Sequence, residues 1–294
     1  MTATPEPAAS PAPSAKKGMS QGIALALAAS LSNQAGAATG ALAFSAIGPV
    51  GVVVIRQVIT AIVMLPLGRP KLRRMTWSQW WPVICLGIVL GVMNMTVYAT
   101  IDRLGLGLAI TLEFLGPLAI AILASRRLID VLCGVLAGVG VVVLVNPSPS
   151  TDFIGVGIGL ISAVAWACYV LLNRKIGQRL PGFEGSAAAS LVSVVMWIPI
   201  AFFWFSAHPP TLLPVILAVV CALLSSVVPL SIDMLALRRL SPGLFSTLAS
   251  MHPVWAAIVG LLVLHQMLSL QEWLGIALVV VSNVLVTATN LRRA

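Results

Sequence analysis

Apolar runs of membrane-crossing length, about 20 residues each, alternate with short polar breaks along the chain. They fall at roughly 20–46, 50–68, 78–100, 105–125, 128–146, 153–173, 184–206, 212–237, 242–264 and 268–290. Turn and charge signals mark the breaks: Gly48-Pro49, RPKLRR at 69–74, NPSPSTD at 146–152, NRKIGQRLPG at 173–182 and HPP at 208–210. A shorter one, SRR at 125–127, divides the fourth run from the fifth. The pattern predicts an all-α membrane protein of ten transmembrane helices. Residues 1–18 hold no such run, and their Pro, Ala and Ser content predicts a disordered tail.

Composition agrees with the pattern. Of 294 residues, 59% are hydrophobic and 9% charged, and the mean hydropathy of +1.05 excludes an ordinary globular domain. The net charge of +9 raises nucleic acid as a partner, but that needs Lys and Arg gathered on one soluble face. Here they sit between apolar runs, so the expected surroundings are a lipid bilayer and no nucleic acid is expected.

Basic residues concentrate in cytoplasmic loops. With the N-terminus inside, the cytoplasmic segments hold Lys16, Lys17, Arg69, Lys71, Arg73, Arg74, Arg126, Arg127, Arg174, Lys175, Arg179, Arg238, Arg239, Arg292 and Arg293, which is 15 of the 17 basic residues. Arg103 alone lies in an external loop, and Arg56 lies within the second helix. Both termini are therefore expected in the cytoplasm. The first apolar run is too long for a secretory signal and carries Asn33 and Gln34, so it reads as an uncleaved helix. Trp77, Trp80 and Trp81 read as an interfacial belt. Gly36/Gly40, Gly87/Gly91 and Gly134/Gly138 have the spacing that lets membrane helices approach closely.

The chain also repeats itself. Residues 103–122, RLGLGLAITLEFLGPLAIAI, align without gaps on 239–258, RLSPGLFSTLASMHPVWAAI, with nine of 20 positions identical at a constant offset of 136, an Arg, a Thr and a Pro among them. This reads as two five-helix units, 19–147 and 148–294. Five is odd, so the second unit enters the membrane inverted. Inverted repeats with a site at their interface near the midplane recur in secondary transporters. Arg103, on the outer side, becomes the repeat partner of cytoplasmic Arg239.

The stretch GVMNMTVYATIDRLGLGLAITLEFLGPLAIAILASRRLID (91–130), with LSSVVPLSIDMLALRRLSPGLFSTLASMHPVWAAIVG (224–260), resembles the drug/metabolite transporter superfamily with two EamA-type repeats, and within it the bacterial threonine/homoserine exporters. LEFLGPLA followed by SRR and an Asp carries most of the likeness. The resemblance implies a ten-helix exporter of small amino acids in the bacterial inner membrane, driven by proton motive force, with no cofactor. This chain departs from it where those exporters place an acid before the ninth-helix proline. Here the residues are Met251-His252-Pro253, and near the outer end of that helix His265-Gln266 replace a second acid.

The candidate site follows from polar residues in apolar runs. Glu113 falls halfway along the fourth run, where an ionised side chain costs several kcal/mol unless paired or hydrated. Three readings are open: a proton-exchanging group, a partner for a substrate ammonium, or a protonated side chain satisfied by a neighbouring helix. Pro117, four residues on, deprives the Glu113 carbonyl of its intrahelical donor, and Pro253 does the same to Ala249, so both are candidate helix breaks. His252 lies three residues after Ala249, the repeat partner of Glu113, and is a titratable candidate on that face. Arg56 is either a structural partner for carbonyls or acids, or a contact for a substrate carboxylate. Asn33, Asn94, Tyr98 and Tyr169, with Gln34, Ser225 and Ser226, offer neutral hydrogen bonds either to a cavity or between helices. Asp233, near a cytoplasmic helix end, reads as a partner of Arg238 or a water-facing group.

Other classes lack their signals. There is no HExxH, GxSxG or GxxxxGK[ST], and three scattered histidines make no metal site, so neither an enzyme nor a metal is expected. A scaffold or receptor needs no midplane acid, and no ring of like charges suggests a channel filter. The expected partners are a small-molecule substrate, protons and lipid, with the chain a monomer or homodimer.

Overall fold

A computed structural model describes residues 13–123, 128–146, 151–237, 239–240 and 242–291, and its regular elements are all helical. Thirteen α-helices stack into ten spans: α1 (Pro13–Ala41), α2 (Phe44–Gly68), α3 (Trp77–Leu104), α4 (Leu106–Glu113) continued by α5 (Leu115–Leu123), α6 (Leu128–Val145), α7 (Phe153–Gly177), α8 (Glu184–Ala207), α9 (Leu212–Ala222) continued through a π-helical turn (Leu223–Val227) by α10 (Val228–Leu237), α11 (Pro242–Ala249) continued by α12 (His252–Leu264), and α13 (Leu270–Leu291). Among the described residues, six helices are long and apolar enough to cross a membrane, and the segments Leu106–Ile120, Val131–Val145 and Leu212–Val227 are shorter apolar helices. Large apolar side chains such as Phe202 and Ile154 lie on the outside, whereas Ser30, Gln34, Gln57, Asn94 and Glu113 are buried, as expected of a bundle whose solvent is lipid.

Local sequence accounts for the helix starts. Thr76 and Gln79 form a capping box at α3, with Thr76 N donating to Gln79 Oε1 at 3.0 Å. Asp152 caps α7 by accepting from Gly155 N at 2.9 Å, and Ser269 and Glu272 bond reciprocally at α13.

Some expected boundaries move. The first span ends at Ala41, not near 46, and α1 begins at Pro13, inside the segment read as a tail. Residues 1–12, Arg126, Arg127, Arg238, Arg292 and Arg293 lie outside the described residues. Gly48-Pro49 marks a backbone break inside α2 rather than a loop: Gly48 takes φ 66° and ψ 169°, a region open essentially to glycine alone. Trp204 Nε1 donates to the neighbouring Ile47 carbonyl at 2.7 Å and packs where a Gly48 side chain would stand.

The glycine pairs set close approaches unequally. A Cβ at Gly36 would strike Ser225 and one at Gly40 would come 2.8 Å from Cys221 Sγ, which brings α1 onto the α9–α10 span. Gly87 and Gly91 likewise admit Val192 and Trp197 of α8 against α3. Gly134 is tight against Ile122, but Gly138 has open space, so only one residue of that pair makes a close contact.

Packing follows a pattern. α2 runs along α8, α6 along α13, and α4 crosses α12, while α3 lies on α7 and α1 lies on the α9–α10 span. The helix breaks match too: α4 ends at Glu113 and α11 at Ala249, 136 residues apart, the offset of the sequence repeat.

Candidate functional site

A cavity of about 640 Å³ lies inside the bundle, and α6 and α13 contribute no residue to its wall. Its wall runs from the middle of the bundle toward the end that carries the basic loops. Met64 of α2, Leu86 of α3, Asn173 of α7, Phe183 and Ser186 beside the start of α8, and Asp233 of α10 line that part. At the opposite end the bundle is closed by an apolar cluster that includes Ile47, Val53, Val54, Leu106 and Val259. Each of the polar candidates read from the sequence, Asn33, Arg56, Asn94, Tyr98, Glu113, Tyr169 and His252, lies on this one wall.

Arg56 projects from the middle of α2. Its Nη1 donates to Tyr98 Oη at 3.0 Å, its Nε approaches Ser226 Oγ at 3.4 Å, and its guanidinium lies 5.4 Å from the Tyr98 ring centroid. Tyr98 Oη also sits 2.9 Å from Cys221 Sγ. The π-helical turn presents Ser225 and Ser226 to α1 and α2, and such turns put an extra residue into the helix where a function needs a different side-chain angle. Ser225 Oγ donates to the Asn33 carbonyl at 3.1 Å, so Asn33 takes part through its backbone as well.

Glu113 ends α4. Its Oε1 accepts from Ser162 Oγ of α7 at 3.0 Å. The next residue, Phe114, sits edge-on to Trp166 at 4.5 Å and stacks on the His252 ring at 5.5 Å. His252 Nδ1 lies 3.0 Å from Gln34 Nε2, which ties α12 to α1. Asn94 donates to the Leu90 carbonyl of its own helix at 2.9 Å. Asp233, read as a partner of Arg238, faces the cavity, and Arg238 lies outside the described residues.

Arg56 and Glu113 form no ion pair. Among the described residues the one ion pair is Arg103–Asp152, at 2.8 Å. A guanidinium and a carboxylate thus face the same cavity, each held by neutral hydroxyls. Such a pair can receive a solute that carries both charges, or one of its members can change protonation as the other binds.

Pro117 and Pro253 do not touch the cavity. They stand in the first turns of α5 and α12, where the missing N–H leaves the Glu113 and Ala249 carbonyls without a helical donor. Both spans are interrupted at those residues. At the closed end, Gln266 Oε1 accepts from Leu106 N at 2.9 Å and so caps α4, serving where the resemblance led us to expect an acid. Arg103 makes two hydrogen bonds to Asp152 there, at 2.8 and 3.0 Å, which hold the Asp152 carboxyl below its ordinary pKa.

Sequence reasoning missed Ser162, Trp166, Asn173, Gln57 and Thr60. The signal for three of them was present: Ser162, Trp166, Tyr169 and Asn173 follow helical spacing on one face of α7, of which Tyr169 alone was singled out. Ser162 meets Glu113 only because α7 packs against α4, a tertiary fact.

Comparison with known proteins places the chain among transporters. Residues 153–288 match the EamA-like transporter family. Over 278 residues the chain is 31% identical to the threonine/homoserine exporter RhtA of Salmonella typhimurium, covering 91% of each chain. It is 31% identical over 277 residues to RhtA of Escherichia coli, again covering 91% of each. An uncharacterized transporter of Bacillus subtilis, YvbV, is 26% identical over 262 residues, 80% of this chain and 81% of its own. A solved crystal structure superposes with a TM-score of 0.56 at 20% identity, over 95% of this chain and 98% of the other, a likeness of fold alone.

Proposed function

We propose, on the premise that the chain belongs to the EamA-like transporter family, that it exports small amino acids of the threonine or homoserine type across the bacterial inner membrane by proton-coupled alternating access. Its relatives are transporters, not enzymes. The observation that carries the reading is the placement of Arg56 and Glu113 on one cavity wall without an ion pair between them. In the proposed bound state the substrate carboxylate is taken by Arg56, whose planar fork suits it, and the ammonium by Glu113. Protonation of Glu113 then competes with the ammonium, which couples release to the proton gradient.

The moving parts are the two halves, read as inverted five-helix repeats with both termini in the cytoplasm. Two features support that reading. The breaks after Glu113 and Ala249 keep the repeat offset. The pairings also map onto themselves: α2 with α8 and α6 with α13 are repeat partners in contact, and α3 on α7 answers the α9–α10 span on α1. With this orientation the cavity faces the cytoplasm, the side on which an exporter loads.

The size of the cavity favours a second reading within the same family, a larger metabolite or drug-like solute. About 640 Å³ falls in the usual range for small-molecule pockets, and Phe114, Trp166 and Tyr169 give it an aromatic side. Counterflow in proteoliposomes over a panel of amino acids separates the two. Saturable exchange of threonine and homoserine supports the first, and exchange confined to bulkier solutes supports the second. Absence of any saturable counterflow overturns both.

A further inference from the structure

We propose that the cavity becomes much less polar when the protein turns outward, and that this asymmetry makes the outer face the low-affinity face from which substrate is released. The inference rests on the inverted-repeat reading above. If the halves exchange conformations, each wall residue yields its place to the residue 136 positions away. For Ser30/Trp166, Asn33/Tyr169 and Glu113/Ala249, both members already line the cavity, so these positions stay at the site in either state.

Four other polar residues of the present wall behave differently. Ser186 and Ser190 of α8 have Val50 and Val54 of α2 as partners, and Arg56 and Gln57 have Val192 and Ser193. Val54 is now buried, and Val50 packs against the same apolar cluster that closes the outer half. In the outward state the wall exchanges a guanidinium, an amide and two hydroxyls for three valines and one serine. Charge-assisted hydrogen bonds are the strong contacts of a zwitterion, and the one from Arg56 is withdrawn on the side where release occurs.

Ser193 supplies an independent observation. Its side chain is fully buried and its Oγ has no hydrogen-bond partner. It stands beside Gly91 of α3. A buried hydroxyl left unpaired costs free energy and calls for a reason. As the repeat partner of Gln57, which lines the cavity now, Ser193 becomes wet in the outward state, and the inward state carries the cost.

The test uses the full chain with Cys85, Cys133, Cys168 and Cys221 replaced, in right-side-out and inverted membrane vesicles. Val50→Cys, Val54→Cys and Ser193→Cys are each exposed to a membrane-impermeant maleimide, with Ser186→Cys as the inward reference. The expected result is labelling of the first three from the outer face and of Ser186→Cys from the inner face. Threonine counterflow should then show an apparent affinity at least about tenfold weaker on the outer face. If Val50→Cys, Val54→Cys and Ser193→Cys all resist the reagent from outside while counterflow persists, the proposal is overturned. Equal affinities on the two faces overturn it as well. Failure of the chain to carry threonine counts against the substrate reading instead, and the labelling pattern still decides this inference.

Discussion

Ser162 Oγ donates to Glu113 Oε1 at 3.0 Å, so α7 holds the buried acid on which α4 ends. Through that bond, charge on the carboxylate is linked to the packing of α7 on α4. Glu113→Gln keeps size and hydrogen bonding but cannot change charge. pH-driven export should fall by at least about tenfold, equivalent to roughly 1.4 kcal/mol, with the protein still folded in the membrane. If Glu113 serves the proton alone, exchange without a gradient survives, and if it also holds the ammonium, exchange fails too. Ser162→Ala removes a hydrogen bond to a charged group, worth about 1.5–3 kcal/mol, and should weaken export without abolishing it. Full pH-driven transport by Glu113→Gln at normal expression would leave the carboxyl a protonated packing residue.

Arg56 is fixed by Tyr98 and Ser226 rather than by an acid. Arg56→Lys keeps the charge and loses the fork, so the apparent KM for an amino acid should rise by about tenfold or more. Tyr98→Phe should raise it less, since one neutral support is lost. A purely structural Arg56 shows itself as lost expression or thermal stability in Arg56→Lys, with KM unchanged in the folded fraction.

Topology has its own check. A reporter fused after Asp152 should report outside and one after Arg179 inside. The same side for both contradicts the inverted-repeat reading.

The ten spans were legible because the bilayer imposes a length on every apolar run, and the ninth, 242–264, agrees at both ends. The first was misjudged at its C-terminal end because the apolar run continues through the Leu42-Ala43 turn without a polar residue to mark it. In the site, Glu113, Arg56 and His252 stood out because ionisable groups in apolar runs are costly. Which residues partner them did not: Gln34 and Ser226 stood only among the neutral hydrogen-bonding candidates, and Ser162 was not among them. Ser162, Gln34 and Ser226 reach them across sequence separations of 49, 218 and 170 residues, and a hydroxyl or amide in a helix looks the same whether it faces a cavity or a neighbour. The π-helical turn at Leu223–Val227 had no sequence mark at all.

The closed end of the bundle offers a pH prediction. Asp152 is held below its ordinary value of 3.8, first by the hydrogen bond from Arg103 and then by that from Gly155 N. A depressed carboxylate contributes stability that is fully present above its unfolded pKa and is lost as pH falls through its lower folded value. The contact between the α3 end and the α7 cap should therefore hold at neutral pH and loosen only below about pH 3.8. Both side chains are about a third exposed, so the effect is modest and screened by salt. Asp152→Asn should make a cysteine near residue 104 more reactive from the outer face at neutral pH, and unchanged reactivity removes the latch.

His252 is one position at which this chain parts from the pattern it resembles, and we propose that it takes part in the coupling. Its ring stacks on Phe114, directly after Glu113, and its Nδ1 is bound to Gln34, so it joins three spans at the cavity wall. Gln34 Oε1 is buried without a partner, so the amide is free to turn over and meet either a donor or an acceptor on the imidazole. A bond of that kind tolerates both protonation states of His252, which suits a group that follows the charge on Glu113. His252→Gln retains a hydrogen-bonding side chain and removes titration, so it should keep export at fixed pH and flatten its pH dependence. His252→Glu places an acid before Pro253, as in the exporters this chain resembles, and should retain activity with a changed pH profile. Gln34→Leu removes both options of the amide and should slow export by about tenfold, the scale of one buried polar group left unpaired. Paired measurements of rate against pH for the three variants decide the matter. If His252→Gln matches the unaltered chain at every pH, the histidine is a stacking residue for Phe114 and no part of the coupling.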